Sequence, residues 1–245
     1  MKAYTITDIG KVRSENQDSV RFVQSEAVPA LGILALCDGM GGAQAGSLAS
    51  NIAISSFIDS VTKSLAGVKN PPKLSELVKD AAEYANTCVY ARGTTDRACE
   101  GMGTTLVAAV VKNRSCCIVN VGDSRAYLIR GGEITQLTRD HSFVEEMVSR
   151  GSITREQAKN HPRKNVITRA IGVEPTVECD VYSPSFKKND LLLLCSDGLS
   201  NTLTDEELLE LAQRSKALSD IGNELVDLAL SRGAPDNVTV GLLRK

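Results

Sequence analysis

A chain of 245 residues, 42% of them hydrophobic and with a formal net charge of −2, has enough apolar mass to bury one substantial core. The near-neutral charge and the absence of a long basic run exclude nucleic acid as the main partner, because phosphate backbones are gripped by clustered Lys and Arg. No apolar stretch approaches the ~20 residues that span a bilayer, so membrane insertion is not expected.

Along the chain, "YTITDIG" and "SVRFVQ" read as short strands around the polar segment 11–18. The opening residues alternate and lack a signal peptide's apolar block. "LGILALC" (31–37) is a buried strand, followed by a helix over 44–63 and a second over 74–92. "TTLVAAVV" and "SCCIVNVG" are expected to pair, and "SRAYLIRGGEITQLT" to continue as a hairpin turning at Gly131-Gly132. Segment 141–165 is charged and brokenly helical, with a capping box at Thr154 and Gln157. "DLLLLCS" is another buried strand. Thr204 and Glu207 cap the helix that contains "LLELA", residues 219–231 form one more helix, and "NVTVGLL" closes as a strand. This order is not a regular βαβ alternation, so a doubly wound nucleotide fold is not expected, and no break in composition divides the chain. One domain, 1–245, with a sheet core and helices packed outside follows.

Cysteines number seven, an odd count, and Cys37, Cys116, Cys117 and Cys195 lie inside apolar runs. They read as buried thiols of a reducing, cytoplasmic setting rather than as a disulfide framework.

Five aspartates share one kind of position. Asp18 lies between the first two strands, and Asp38, Asp123 and Asp197 each follow an apolar strand. Asp236 precedes the last strand. Carboxylates at strand ends can converge on one edge of a sheet core, where their repulsion is tolerable only with cations among them. Oxygen donors suit Mg²⁺ or Mn²⁺, whereas two histidines and no finger-spaced cysteines give zinc little support. Asp-Gly is also a common turn, so each aspartate taken alone has an ordinary explanation.

Taken together and in order, "VRSENQD" (12–18), "CDGMGG" (37–42), "GMGTT" (101–105), "NVGDSRAYL" (120–128), "LTRDHS" (137–142), "ITRAIG" (167–172), "LLLCSDGL" (192–199) and "DNVTV" (236–240) are similar to the motifs of the metal-dependent, PP2C-like serine/threonine protein phosphatases. The resemblance covers about residues 8–242, and the compact length is similar to that of bacterial members. It implies an α+β fold: a central β-sandwich of two mainly antiparallel sheets, flanked by helices on both outer faces. A flap is expected at about 145–170, beside a metal cleft. By resemblance, Asp38 bridges two Mn²⁺ or Mg²⁺ ions, with the Gly39 carbonyl, Asp197 and Asp236 as further ligands. Asp123 with Asp197 is implied to hold a third ion, Asp18 to act on metal waters, and Arg13 to bind the substrate phosphate. The guanidinium fork suits that role, although an arginine near a terminus is otherwise only a solvated charge. Asn237 is assigned no role.

The implied activity is hydrolysis of phosphoserine and phosphothreonine in phosphoproteins by metal-activated water. The implied setting is a cytoplasmic monomer opposing a bacterial Ser/Thr kinase. One departure is Met40, which stands where eukaryotic relatives place a histidine acid and cannot donate a proton. Metal-bound water is the expected donor, with His141 as an alternative. A hydrolase of small phosphomonoesters and a non-catalytic scaffold are the rival readings; retention of Asp38, Asp197 and Asp236 opposes the second.

Overall fold

The structure, a computed structural model, describes residues 1–42, 44–69, 71–214 and 217–245. Strands β1 (Lys2–Asp8), β2 (Asp18–Gln24) and β3 (Leu31–Met40) come first, then helices α1 (Ala45–Leu65) and α2 (Leu74–Thr95). A short 3-10 turn (Arg97–Cys99) leads to β4 (Gly103–Thr104), β5 (Leu106–Lys112), β6 (Ser115–Val121), β7 (Arg125–Arg130) and β8 (Glu133–Gln136). Short helices α3 (Phe143–Ser149) and α4 (Arg155–Lys159) occupy the charged segment, before β9 (Asp180–Tyr182) and β10 (Leu191–Cys195). Helices α5 (Asp197–Ser200), α6 (Asp205–Arg214) and α7 (Leu218–Ser231) precede the last strand, β11 (Val238–Arg244).

Two antiparallel sheets face each other. One runs β1-β11-β10-β7-β8; the other runs β2-β3-β5-β6-β9, with β4 paired to the end of β3. The continuous apolar runs follow from this arrangement, because their strands are covered on both faces. In β3, Leu34 and Leu36 join Leu192, Leu194, Val107 and Leu243 between the sheets. Their alternates Ile33, Ala35 and Cys37 pack against α1 and α2 through Ala49, Phe57 and Val78. In β10, Leu191, Leu193 and Cys195 point the other way, onto Leu208, Leu211, Ile221 and Leu225 of α6 and α7. The expected sandwich with helices on both outer faces is the observed one.

Local signals act where expected. Thr154 and Gln157 form a reciprocal capping box. The Thr204 amide donates to Glu207, and the Glu207 amide to Thr204, at 2.9 and 3.4 Å. Acidic residues fill the first turn of α6 and Arg214 its last, in keeping with the helix dipole. Three details differ from the sequence reading. Thr104 is not in the same strand as Leu106, since it turns aside to pair with Gly39. No sequence signal marks the three-residue β9 or the immediate turn of β10 into α5. All seven cysteines are free, and burial pushes the thiols of Cys116 and Cys195 up to about 12, which leaves them unreactive. Among the described residues no helix is long and apolar enough to cross a membrane.

Candidate metal centre and substrate cleft

Antiparallel pairing brings the five aspartates together. Strand β3 ends at Asp38, and β6, two strands away and therefore running the same way, ends beside Gly122-Asp123. In the other sheet β10 ends before Asp197, and its neighbour β11 begins just after Asp236. Asp18, the first residue of β2, lies opposite Asp38 in register. One end of the sandwich therefore collects all five, as the sequence predicts.

Two glycines are set by close backbone approach. A Cβ on Gly39 would lie 2.1 Å from the Gly46 carbonyl oxygen, and one on Gly198 2.0 Å from that of Asn237. No side chain fits at either place, so each aspartate is followed by the one residue that lets another segment close behind it.

The cleft at this end has a volume of about 240 Å³. Asp38, Asp123, Asp197 and Asp236 line it, with Gly39, Met40, Arg13, Gln17 and Thr105, and Asn165 and Ile167 reach in from the segment after α4. Asp18 lies beneath, where Oδ2 accepts from the Thr239 hydroxyl at 2.6 Å and Oδ1 has no partner. A larger cavity of about 540 Å³, between the end of α2 and Gly172-Val173, holds Arg97 and Glu100 but no cluster of carboxylates. The chemistry therefore belongs to the smaller cleft.

Crowding controls the acids. Burial, then the charges of Asp18, Asp197, Asp123 and Asp236, holds Asp38 well above the usual carboxylate range. Burial and Asp236 raise Asp197 to about 6; burial also raises Asp18 to about 6, against the pull of Thr239 and Ser196. Asp123 is raised to about 8 by burial, Asp197 and Asp140. Such a set resists ionisation until positive charge enters. Arg13 supplies some from the rim, its Nη2 donating to Asp236 Oδ2 at 2.7 Å. Among the described residues no three acidic, histidine or cysteine side chains are already gathered as a ready-made ligand group. The donor chemistry nevertheless fits a hard divalent cation: carboxylates raised by burial and then by one another's charge, the backbone of Gly39 at the cleft wall, and the orphaned Asp18 Oδ1 below.

Supporting residues fix the cluster. The Asp38 amide donates to Thr105 Oγ1 at 2.9 Å, and its carbonyl accepts from the Thr105 amide and the Thr104 hydroxyl. Thr105 Oγ1 in turn meets Ser124 Oγ at 2.8 Å, next to Asp123. Asn237, without a role in the sequence reading, anchors the loop that carries Arg13. Its Oδ1 accepts from the Gln17 amide at 2.9 Å, and its Nδ2 donates to the Ile9 and Glu15 carbonyls at 2.9 and 3.0 Å. The sequence signal was available only as an amide beside a predicted ligand. His141 does not line the cleft. It is buried, its Nδ1 accepts from the Gly122 amide, and burial lowers it from 6.5; outside the cleft, it does not reach a group leaving there.

The chain is similar to known proteins along nearly its whole length. The family described as Protein phosphatase 2C matches residues 11–228. The serine/threonine phosphatase stp of Listeria monocytogenes is 37% identical over 245 residues, spanning 100% of this chain and 96% of that one. The structure of serine/threonine phosphatase Stp1 from Staphylococcus aureus superposes with a TM-score of 0.89 at 34% identity, covering 100% of this chain and 94% of that one. The catalytic domain of the phosphatase PstP in complex with two manganese ions gives a TM-score of 0.84 at 36% identity, covering 98% and 96%.

Proposed function

Because the chain belongs to the protein phosphatase 2C family, we propose that its acidic cleft is where a phosphorylated side chain of a protein is bound and hydrolysed. The chain is a metal-dependent serine/threonine protein phosphatase, and a divalent cation is its cofactor. The observation that carries the site assignment is the convergence of Asp38, Asp123, Asp197 and Asp236 on one cleft.

In this reading, Asp38, the Gly39 carbonyl, Asp197 and Asp236 hold two Mn²⁺ or Mg²⁺ ions, and Asp123 with Asp197 a third. Such ions polarise phosphoryl oxygens and lower the pKa of water, so that no protein nucleophile is needed. The chain's own groups do the rest. Arg13, more than half exposed at the rim, turns its fork from Asp236 to the incoming phosphoryl group. Asn237 fixes the loop that aims it, and Asp18, oriented by Thr239, provides an acceptor at the floor. Met40 has no proton to give and His141 does not line the cleft, so the departing oxygen takes its proton from water in the cleft.

The flap, about 145–170, bears on substrate choice through Asn165 and Ile167 at the cleft wall. The chain works as one domain and as a monomer in the cytoplasm, against phosphoproteins made by a cognate Ser/Thr kinase. Hydrolysis of a phosphothreonine peptide and of a sugar phosphate, each with Mn²⁺, Mg²⁺ or a chelator, tests this reading. Metal-dependent turnover that favours the peptide is expected. Equal rates on both substrates, or turnover that survives chelation, would overturn it.

A further inference from the structure

His141 is outside the carboxylate cluster, yet both nitrogens of its buried ring are engaged. Nδ1 accepts from the Gly122 amide at 3.1 Å, one residue before Asp123. The neutral ring therefore carries its hydrogen on Nε2, which faces Asp180 Oδ2 at 3.3 Å. Asp180 is held in turn by Arg169 at 3.0 Å and by the Tyr182 hydroxyl at 3.1 Å. The backbone of His141 joins the same parts: its amide donates to the Gly122 carbonyl at 2.9 Å, and its carbonyl accepts from the Thr168 amide at 2.8 Å. The stem of the flap closes immediately beyond, through the Phe143 amide on the Val166 carbonyl and the Ser142–Ile167 bridge.

The turn that carries Asp123 is thus clamped on two sides. Ser124 is tied to Thr105, which also holds the Asp38 amide, and Gly122 is tied to His141. We propose that His141 is a positioning residue: its Nδ1 fixes the Gly122–Asp123 turn against the flap stem and so sets where the Asp123 carboxylate stands in the cleft. Asp180 favours the tautomer that leaves Nδ1 free to accept by taking the Nε2 hydrogen; Arg169, whose Nη1 lies 3.2 Å from Nε2 and can only donate, contributes by holding Asp180. This inference rests on Asp123 acting in the cleft as proposed above.

The test compares His141→Asn, whose amide oxygen can replace Nδ1, with His141→Gln, whose longer arm reaches toward Asp180 instead. Both remove the ring's packing, so a role in packing alone would affect them equally. Three readouts are taken on the whole chain: exchange of the Gly122 amide, Mn²⁺ titration by calorimetry, and phosphopeptide kinetics. In His141→Gln the Gly122 amide should exchange about tenfold faster and the weakest class of Mn²⁺ sites should weaken about tenfold, whereas His141→Asn should lose no more than about threefold in each. The loss in His141→Gln should fall on kcat and leave the peptide KM in place. Asp180→Asn frees the ring's outer edge without altering its bulk and should also loosen the Gly122 amide. An unchanged Gly122 amide in His141→Gln, or equal losses in both His141 variants, would overturn the proposal. Asp123→Asn separates the two readings: if it leaves the Mn²⁺ isotherm and turnover intact, the role given to Asp123 fails. Gly122 exchange then still decides whether His141 positions the turn.

Discussion

At Asn237 a single side chain replaces what would otherwise be three unsatisfied backbone groups. Its bonds reach Ile9, Glu15 and Gln17, on the loop that presents Arg13. Asn237→Ala is expected to cost roughly 1–2 kcal/mol in stability, as the half-buried loop loses three bonds to a buried side chain. It should also raise the phosphopeptide KM more than it lowers kcat, because Arg13 is no longer aimed. Denaturant melts and steady-state kinetics check both parts; a stability loss with KM unmoved would show that the loop holds Arg13 without Asn237. The aspartates were legible in the sequence because Asp38, Asp123 and Asp197 each stop an apolar run at a turn while Asp18 and Asp236 stand just ahead of or between strands, and the order of motifs resolved them from ordinary turns. Asn237 was not, because its partners are more than two hundred positions away and no local pattern marks a side chain that works through distant carbonyls. Thr105 and Ser124 were hidden because their hydroxyls join each other and the Asp38 amide across 19 and 67 positions, which no local pattern marks.

At the level of elements, periodicity explains most of the success. Strands β3 and β10 alternate between the inter-sheet layer and the helix layer, so both faces demand apolar residues and the runs stand out. The three residues of β9 carry no such signal, since pairing with β6 alone makes them a strand. Tethers between elements are equally silent in the sequence. Asp190, just before β10, accepts from Arg130 of β7 at 2.9 and 2.5 Å and from the Lys187 amide at 2.5 Å. Burial alone would raise its pKa, but these bonds outweigh it and hold the carboxyl below 3.8. A carboxylate with a depressed folded pKa stabilises the protein above its unfolded value and loses that contribution as pH falls through the folded value. Asp190→Asn should therefore lower Tm near neutral pH, and the gap to wild type should close as the pH drops below 3.8. Thermal melts of both proteins from pH 3 to 7 test it, and a gap that stays constant over that range would rule out the ion pair as its source.

Over the whole molecule, the fold pays a recurring electrostatic cost at one end. Two sheets with rigid, doubly covered strands force Asp18, Asp38, Asp123, Asp197 and Asp236 into mutual range, and burial drives four of them upward in pKa. Nothing in the packing of the sandwich requires those charges, so their placement is legible only as preparation for cations and an anionic substrate. Asp38 lies opposite Asp18 and feels the charge of every other aspartate of the five. The decisive measurement is phosphopeptide turnover by wild type and Asp38→Asn, with and without Mn²⁺, alongside the Mn²⁺-induced change in Tm. Chelated Asp38→Asn should be at least as stable as chelated wild type, because a crowded carboxylate has gone. It should also lose most of the Mn²⁺-induced rise in Tm and about two orders of magnitude or more in turnover. Equal, metal-independent turnover in the two proteins would contradict the assignment of this cleft as the metal-dependent active site.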